Sequence, residues 1–346
     1  MLEILFPLTG ELINHTHMTA DRILTIQGKT APRAVVTLPD GTSVTAGADG
    51  IFAIPYKVEN AFNDVKVTCG VETVQCRFVC DFDTRKRYNF FIDDNIFFLT
   101  EIVREKHKSI FDSFYLDFLR SLHRKYGFKV TLNMFYENCH AYAGGFNTSM
   151  LTDQYKSEFE DNADWLKLAF HAYGEFPDAP YSEAYPEKLP EHHKILEKEI
   201  KRYAGEKSWI EPVLMHWYGI ADDNSRKFIA DAGMTCFSQP DRVWQERFEK
   251  SGRKVLAQYD YQFNQLELQL LFMVNLLKED ELLAKLDGAY GEKGRDLILC
   301  GTHEQYSYPF YSNYIPEHFQ RMESVVKSLT DHGYEAVYFT ETLLKK

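Results

Sequence analysis

Near residue 85 the hydrophobic pattern of this chain changes period, and that change limits the folds open to it. Upstream, apolar residues alternate with polar ones in short runs: Ile23–Gln27, Ala34–Leu38, Ile51–Tyr56 and Val65–Cys69. Pro39-Asp-Gly and Ala48-Asp-Gly supply turns between them. Period-two runs punctuated by Gly and Asp predict a small all-β sandwich over 1–84. Downstream, strand-like and helix-like segments alternate. Tyr88–Ile92 is an apolar strand. Ile110, Phe111, Phe114, Tyr115, Phe118, Leu119 and Leu122 then recur at helical spacing until Gly127. Strands follow at Phe128–Phe135, Trp165–Phe170, Ile210–Met215, Asp296–Cys300 and Ala336–Phe339. Helices lie between them at Glu191–Tyr203, Asn224–Ala232 and Pro316–Asp331. Such alternation predicts α/β architecture with a parallel sheet, open or closed into a (β/α) barrel, over 85–346. The segment 241–295 breaks the alternation and reads as an insertion over the cleft, with an apolar helix around Leu266–Leu277.

Charge and composition narrow the partners. The formal net charge of −12 works against general binding to nucleic acid or to an anionic membrane surface. No apolar run reaches the ~20 residues that cross a bilayer. The amino terminus lacks a basic segment and a long apolar stretch, so it does not read as a secretory signal. The six cysteines, Cys69, Cys76, Cys80, Cys139, Cys236 and Cys300, have no zinc-finger spacing and read as reduced thiols of a cytoplasmic protein. Aromatic side chains are abundant, with 21 Tyr and 26 Phe. Rings of this kind fill cores, and they also stack on sugar faces.

In α/β folds the chemistry gathers at the carboxyl ends of parallel strands. Four expected strand ends carry polar clusters: Asp93-Asp94-Asn95, His171-Ala-Tyr-Gly-Glu175, His216-Trp217-Tyr218 and His303-Glu304. Each also has a plain structural reading. Asp93-Asp94 would serve as a helix cap, His171 as a hydrogen-bonded strand-end histidine, and Glu175 as a solvated loop carboxylate. His123, His192 and His193 fall in helical patterns and read as surface residues.

The order of these clusters resembles that of the polysaccharide deacetylases. Phe91-Ile-Asp-Asp94 is similar to that family's first motif, an apolar strand ending in an Asp pair. Leu116–Phe135 resembles its first helix and second strand. His171–Glu175 lies where the family has a His-x-x-x-His metal motif, and Met215-His-Trp-Tyr-Gly219 where it has Arg-x-Pro-Tyr-Gly. Leu297–His303 resembles the late strand ending in histidine, and Gly333–Leu343 the closing strand. The run Gly28–Val67 is similar to immunoglobulin-like modules attached to carbohydrate enzymes; packing against the barrel or spacing comes first for it, and glycan binding second.

That resemblance implies a metal-dependent hydrolase that removes an acyl group from a sugar or polysaccharide on a (β/α) barrel of the deacetylase type. The implied ligands are Asp94, His171 and Glu175. The ion is zinc first, with Mn, Co or Fe open because two carboxylates make an oxygen-rich set. Asp93 is the implied base and His303 the implied acid. His216, Trp217 and Tyr218 are on the substrate side, with a backbone N–H near Tyr218 at the oxyanion, and Glu304 orients His303. The sequence departs from the family where Glu175 replaces the second histidine and His216 the arginine. Two other readings stay open: a glycoside hydrolase pairing Asp93 or Asp94 with Glu175 or Glu304, and an inactive relative that binds glycan.

Overall fold

The computed structural model describes residues 1–213, 216, 223–231, 236–238 and 256–343. They divide into two compact units whose first boundary falls after Arg85.

The first unit begins with eight strands: β1 (Glu3–Phe6), β2 (Leu12–Ile13), β3 (Ile23–Lys29), β4 (Val35–Thr37), β5 (Ser43–Thr45), β6 (Ile51–Lys57), β7 (Phe62–Cys69) and β8 (Glu72–Cys80). One sheet has the order β1-β3-β6 and the other β2-β8-β7-β4-β5. Burial alternates residue by residue along β3, β6 and β7, as a sheet with one covered face requires. Leu24, Ile26 and Ile54 from one sheet join Val36, Val65, Val67 and Phe78 from the other in a single apolar cluster. Cys76 and Cys80 point into that cluster. Burial pushes both thiols up to about 12, so they are unreactive packing residues. Cys69, Cys76, Cys80, Cys139 and Cys300 are free thiols.

The second unit opens with β9 (Arg87–Asn95), α1 (Phe97–Glu105), α2 (Phe114–Tyr126), β10 (Val130–Phe135), α3 (Lys156–Asp161), β11 (Leu166–Ala172), α4 (Leu189–Tyr203), α5 (Asp223–Asp231) and β12 (Cys236–Ser238). The hairpin β13 (Ala257–Asp260) and β14 (Gln265–Leu268) belongs through Glu267 with the first unit. The second unit resumes with β15 (Leu270–Met273), α6 (Glu279–Tyr290), β16 (Leu297–His303), α7 (His318–Asp331), β17 (Glu335–Ala336) and α8 (Phe339–Thr342). Its sheet has the order β11-β10-β9-β16-β15, with β17 pairing to the start of β9. Its described strands all pair in parallel. Among the described residues this sheet is open, ending at β11 and β15. Every residue of β9 and β10 is buried, which is the signature of strands covered on both faces. None of the described helices is long and apolar enough to cross a membrane.

Several local expectations change. The apolar run Leu266–Leu277 is not a helix; it holds the end of β14 and the edge strand β15. A continuous apolar run has no period that separates a buried strand from a buried helix. The last strand is shortened to Glu335–Ala336, and Phe339 starts a helix. Over Trp209–Val213 only a single bridge, between Leu168 and Trp209, stands in for the expected strand; Leu214 and Met215 lie outside the described residues. His193 is buried against the rings of Phe170 and Trp209 rather than exposed.

The centre of the sheet tolerates no added volume. Gly301 on β16 is the register partner of Phe91 on β9, and a Cβ there would stand 2.5 Å from Phe91 Cε2. Gly301→Ala is therefore expected to destabilise the second unit by about 1–3 kcal/mol through overpacking, read as a lower urea midpoint with an unchanged slope.

Candidate metal centre

Asp93 and Asp94 end β9, and the strand is irregular there. Ile92 pairs with Leu132 on β10, but the next pair is Asn95 with Met134. Three steps on β9 thus match two on β10, which is a β-bulge. Asp94 has φ +62, a left-handed conformation that an aspartate adopts at some cost. A second bulge lies on β11: Met134 pairs with Phe170, and Phe135 with Ala172, so His171 is the extra residue. Both irregularities aim side chains out of the strand ends toward one place.

His171 Nε2 lies 3.1 Å from Asp94 Oδ1. His216 Nδ1 lies 3.1 Å from the same oxygen and 3.2 Å from His171 Nε2. The His216 backbone N–H donates to the His171 carbonyl at 3.2 Å, which holds the two histidines side by side. All three residues are buried. Three donor atoms on one face of a tetrahedral or octahedral shell, each about 2.0–2.2 Å from an ion, stand about 3.0–3.5 Å apart. The observed spacings fall in that range, so the residues fit a divalent metal. The ring of His216 also fits the ligand role, because its Nε2 donates to the Glu175 carbonyl at 3.1 Å and leaves Nδ1 with its lone pair.

Glu175 differs from the expectation. Its carboxylate pairs with His140 Nε2, and among the described residues it is not a member of the converging group. His216 stands where the sequence analysis put Glu175. The donor set is one carboxylate and two imidazoles, so a bound dication keeps a net charge of +1 instead of being neutralised, and its Lewis acidity is higher.

Asp93 and His303 flank the group. Asp93 Oδ1 is 3.7 Å from His171 Nδ1 and accepts from Asn133 Nδ2 at 2.7 Å. His303 Nε2 is 3.9 Å from Asp94 Oδ2, while its Nδ1 meets Asn275 Oδ1 at 3.0 Å. Since an amide oxygen only accepts, Nδ1 carries the proton and Nε2 faces the cluster. Burial, then the charge of Asp94, pushes the Asp93 carboxyl well above the usual range, against the Asn133 hydrogen bond. Burial also acts to raise Asp94, but the charge of His303 and the His171 and His216 rings beside its carboxylate outweigh it and hold Asp94 below that range. Burial lowers His303, helped by His216 and opposed by Asp94 and Glu175.

Glu304 does not orient His303. It is fully buried. Its Oε2 accepts from the backbone N–H groups of Ile96 and Phe97 and its Oε1 from that of Phe98, each at 2.7 Å. It caps helix α1, whose own N-cap residue Ile96 makes no side-chain cap bond. Both of its oxygens are engaged at the start of α1. Trp217 and Tyr218 lie outside the described residues. Sequence reasoning missed Asn133, Asn275 and His140. Asn133 carried a usable signal: an amide inside the apolar run Val130–Phe135 must find a partner once buried.

No family model matches the chain and no curated protein matches it. Among solved structures, a 4-alpha-glucanotransferase from Thermococcus litoralis is similar with a TM-score of 0.51 and 10% identity, over 76% of this chain and 40% of that one. A family 4 acetyl xylan esterase from Clostridium thermocellum has a TM-score of 0.42 and 11% identity, over 74% and 90%. The Bc1960 peptidoglycan N-acetylglucosamine deacetylase has 0.41 and 11%, over 76% and 90%. At these identities the first likeness is one of fold alone, and the other two carry no further weight.

Removing the cap should cost stability and not metal. Glu304→Ala leaves three backbone donors unpaired and is expected to lower unfolding free energy by about 2–3 kcal/mol. Glu304→Gln keeps an acceptor oxygen and should lose less. Both variants should retain the metal content of the parent by elemental analysis.

Proposed function

We propose that this chain is a divalent-metal-dependent hydrolase that removes an acyl group from a sugar or polysaccharide, with Asp94, His171 and His216 as ligands and zinc as the first choice of ion. The observation that carries this reading is the triangle of buried donor atoms with sides of 3.1, 3.1 and 3.2 Å. A metal-ligand group at strand ends, with a free carboxylate and a free imidazole beside it, matches what hydrolysis of an acyl group needs. The substrate class comes from the resemblance of 88–346, apart from the segment 241–295, to polysaccharide deacetylases.

Asp94, His171 and His216 would hold the divalent ion, which when bound would supply Lewis acidity toward an acyl oxygen and lower the pKa of water toward about 7, as in the best zinc sites. Asp93 takes the proton from the attacking water, held for that purpose by the Asn133 amide. In its charged form His303 carries a second proton on Nε2 and gives that proton to the departing amine or alkoxide, and Asn275 keeps its ring turned toward the cluster. Trp217 and Tyr218, outside the described residues, keep only the substrate-side role that the resemblance implies. Glu175 and His140 form a polar pair beside the ligands and shape the cleft.

Mutation separates this ligand set from the two-carboxylate set of Asp94, His171 and Glu175. His171→Ala and His216→Ala should each lose stoichiometric metal, whereas Glu175→Gln should keep it; retention in His216→Ala with loss in Glu175→Gln would restore the two-carboxylate set. For activity, chelation should abolish release of acetate from acetylated oligosaccharides, and added zinc should restore it. Asp93→Asn is expected to lower kcat about 10²–10⁴-fold with metal retained. Loss of metal in that variant would instead make Asp93 the support of His171.

A further inference from the structure

An open cavity of about 720 Å³ lies wholly within the first unit, and no residue of the metal-ligand group lines it. Its size suits a small organic molecule. Two arginines line it. Arg77 on β8 has its guanidinium carbon 3.8 Å from the centre of the Tyr261 ring. Arg22, in the turn before β3, has its own 4.3 Å from that of Phe82. Stacking uses one flat face of a guanidinium and leaves its N–H edges for a partner. Neither side chain donates a hydrogen bond to another described residue; Arg77 Nε comes no nearer than 4.0 Å to Asp64 Oδ2. Arg22 also has φ +58. Glycine takes that conformation freely, so what an arginine adds at this turn is the guanidinium it lends to the cavity.

The remaining lining narrows the ligand. Phe62 meets Tyr259 edge to face at 5.1 Å between centroids, and Tyr259 meets Tyr261 in the same way at 5.0 Å. These rings give the cavity apolar walls against which a flat body packs. Two carboxylates, Asp64 and Glu59, are also in the lining. Asp64 accepts from Gln75 Nε2 at 2.6 and 2.7 Å, and Glu59 is exposed to solvent. Two guanidinium groups against two carboxylates leave the lining formally neutral, which works against a dianion such as phosphate. A single negative charge beside the unspent N–H edges meets less opposition. A carboxylate is planar and accepts two parallel bonds from one guanidinium. A bare inorganic anion would leave the rings uncovered and most of the volume unfilled.

We propose that this cavity is a binding site for a small aromatic carboxylate, with Arg77 and Arg22 holding the carboxylate and Phe62 and Tyr259 covering the flat ring. The ligand class rests on the first unit alone and not on the hydrolase reading. The β-sandwich is then a ligand-binding module in its own right, beyond packing or spacing.

Calorimetric titration of the whole chain with benzoate, 4-hydroxybenzoate and 2-naphthoate, beside their methyl esters, acetate and inorganic phosphate, is the experiment. Excess chelator in every titration keeps the acids from binding through a metal in the second unit. At least one aromatic acid should bind with a Kd below about 1 mM, and its ester, acetate and phosphate at least about tenfold more weakly. Arg77→Lys and Arg22→Lys keep the positive charge but lose the planar fork, and each should weaken that acid about tenfold. Urea midpoints equal to the parent's in both lysine variants separate lost binding from lost fold. The comparison of acid with ester on the parent protein stands whatever the variants do. No binding by any aromatic acid, an ester as tight as its acid, acetate or phosphate as tight as the aromatic acids, or parent affinity in both lysine variants would each overturn the proposal.

Discussion

Asp93 and Asp94 are chain neighbours, yet both carboxylates approach the same imidazole, one at each nitrogen of His171. A regular strand sends adjacent side chains to opposite faces. The left-handed backbone at Asp94 and the extra residue opposite β10 remove that restriction. A non-glycine residue in that region costs on the order of 1–3 kcal/mol, and it persists because its surroundings fix it. The next residue, Asn95, is fully buried, donates to the Asn133 carbonyl at 3.0 Å and accepts from the Tyr115 hydroxyl at 3.1 Å. The bulge that presents His171 on β11 completes the arrangement. Without these two interruptions the parallel sheet would be as well packed, but its polar residues would not meet.

Burial makes the meeting consequential. An isolated carboxylate in such a place would take up a proton, because desolvation penalises its charge. Asp94 avoids this through the charge of His303 and the two imidazoles against its carboxylate, whereas Asp93 has one amide and a negatively charged neighbour. Two adjacent acids of the same type are thereby driven apart in proton affinity. With both imidazoles neutral, the three donors carry a net charge of −1, which a dication more than balances. Glu175, already paired to His140, is not needed for that balance.

Glu304 supplies the mechanical counterpart. Its carboxylate joins the residue after β16 to the start of helix α1, which follows β9, across 206 to 208 positions of sequence. The cap satisfies donors that no nearby side chain reaches, and it fixes the strand ends bearing Asp94 and His303 in relation to each other. A carboxylate beside a histidine at a strand end invites a catalytic role; its partners show that it holds the cleft together.

Legible in the sequence by itself were the change of hydrophobic period near residue 85, the apolar strands at Tyr88–Ile92 and Phe128–Phe135, and the polar residues that follow them, because hydrophobic period and apolar run length are local properties. It also placed Asp94 and His171 in one cluster. It did not separate strand from helix in Leu266–Leu277, where every position is compatible with either. Nor did it rank Glu175 against His216, since both follow apolar segments and both can bind metal. Only the tertiary structure decided between them: a backbone hydrogen bond sets His216 beside His171, and His140, 35 residues before Glu175 in the chain, draws its carboxylate aside. Ligand choice depends on distances between atoms far apart in sequence, and no local pattern encodes those distances.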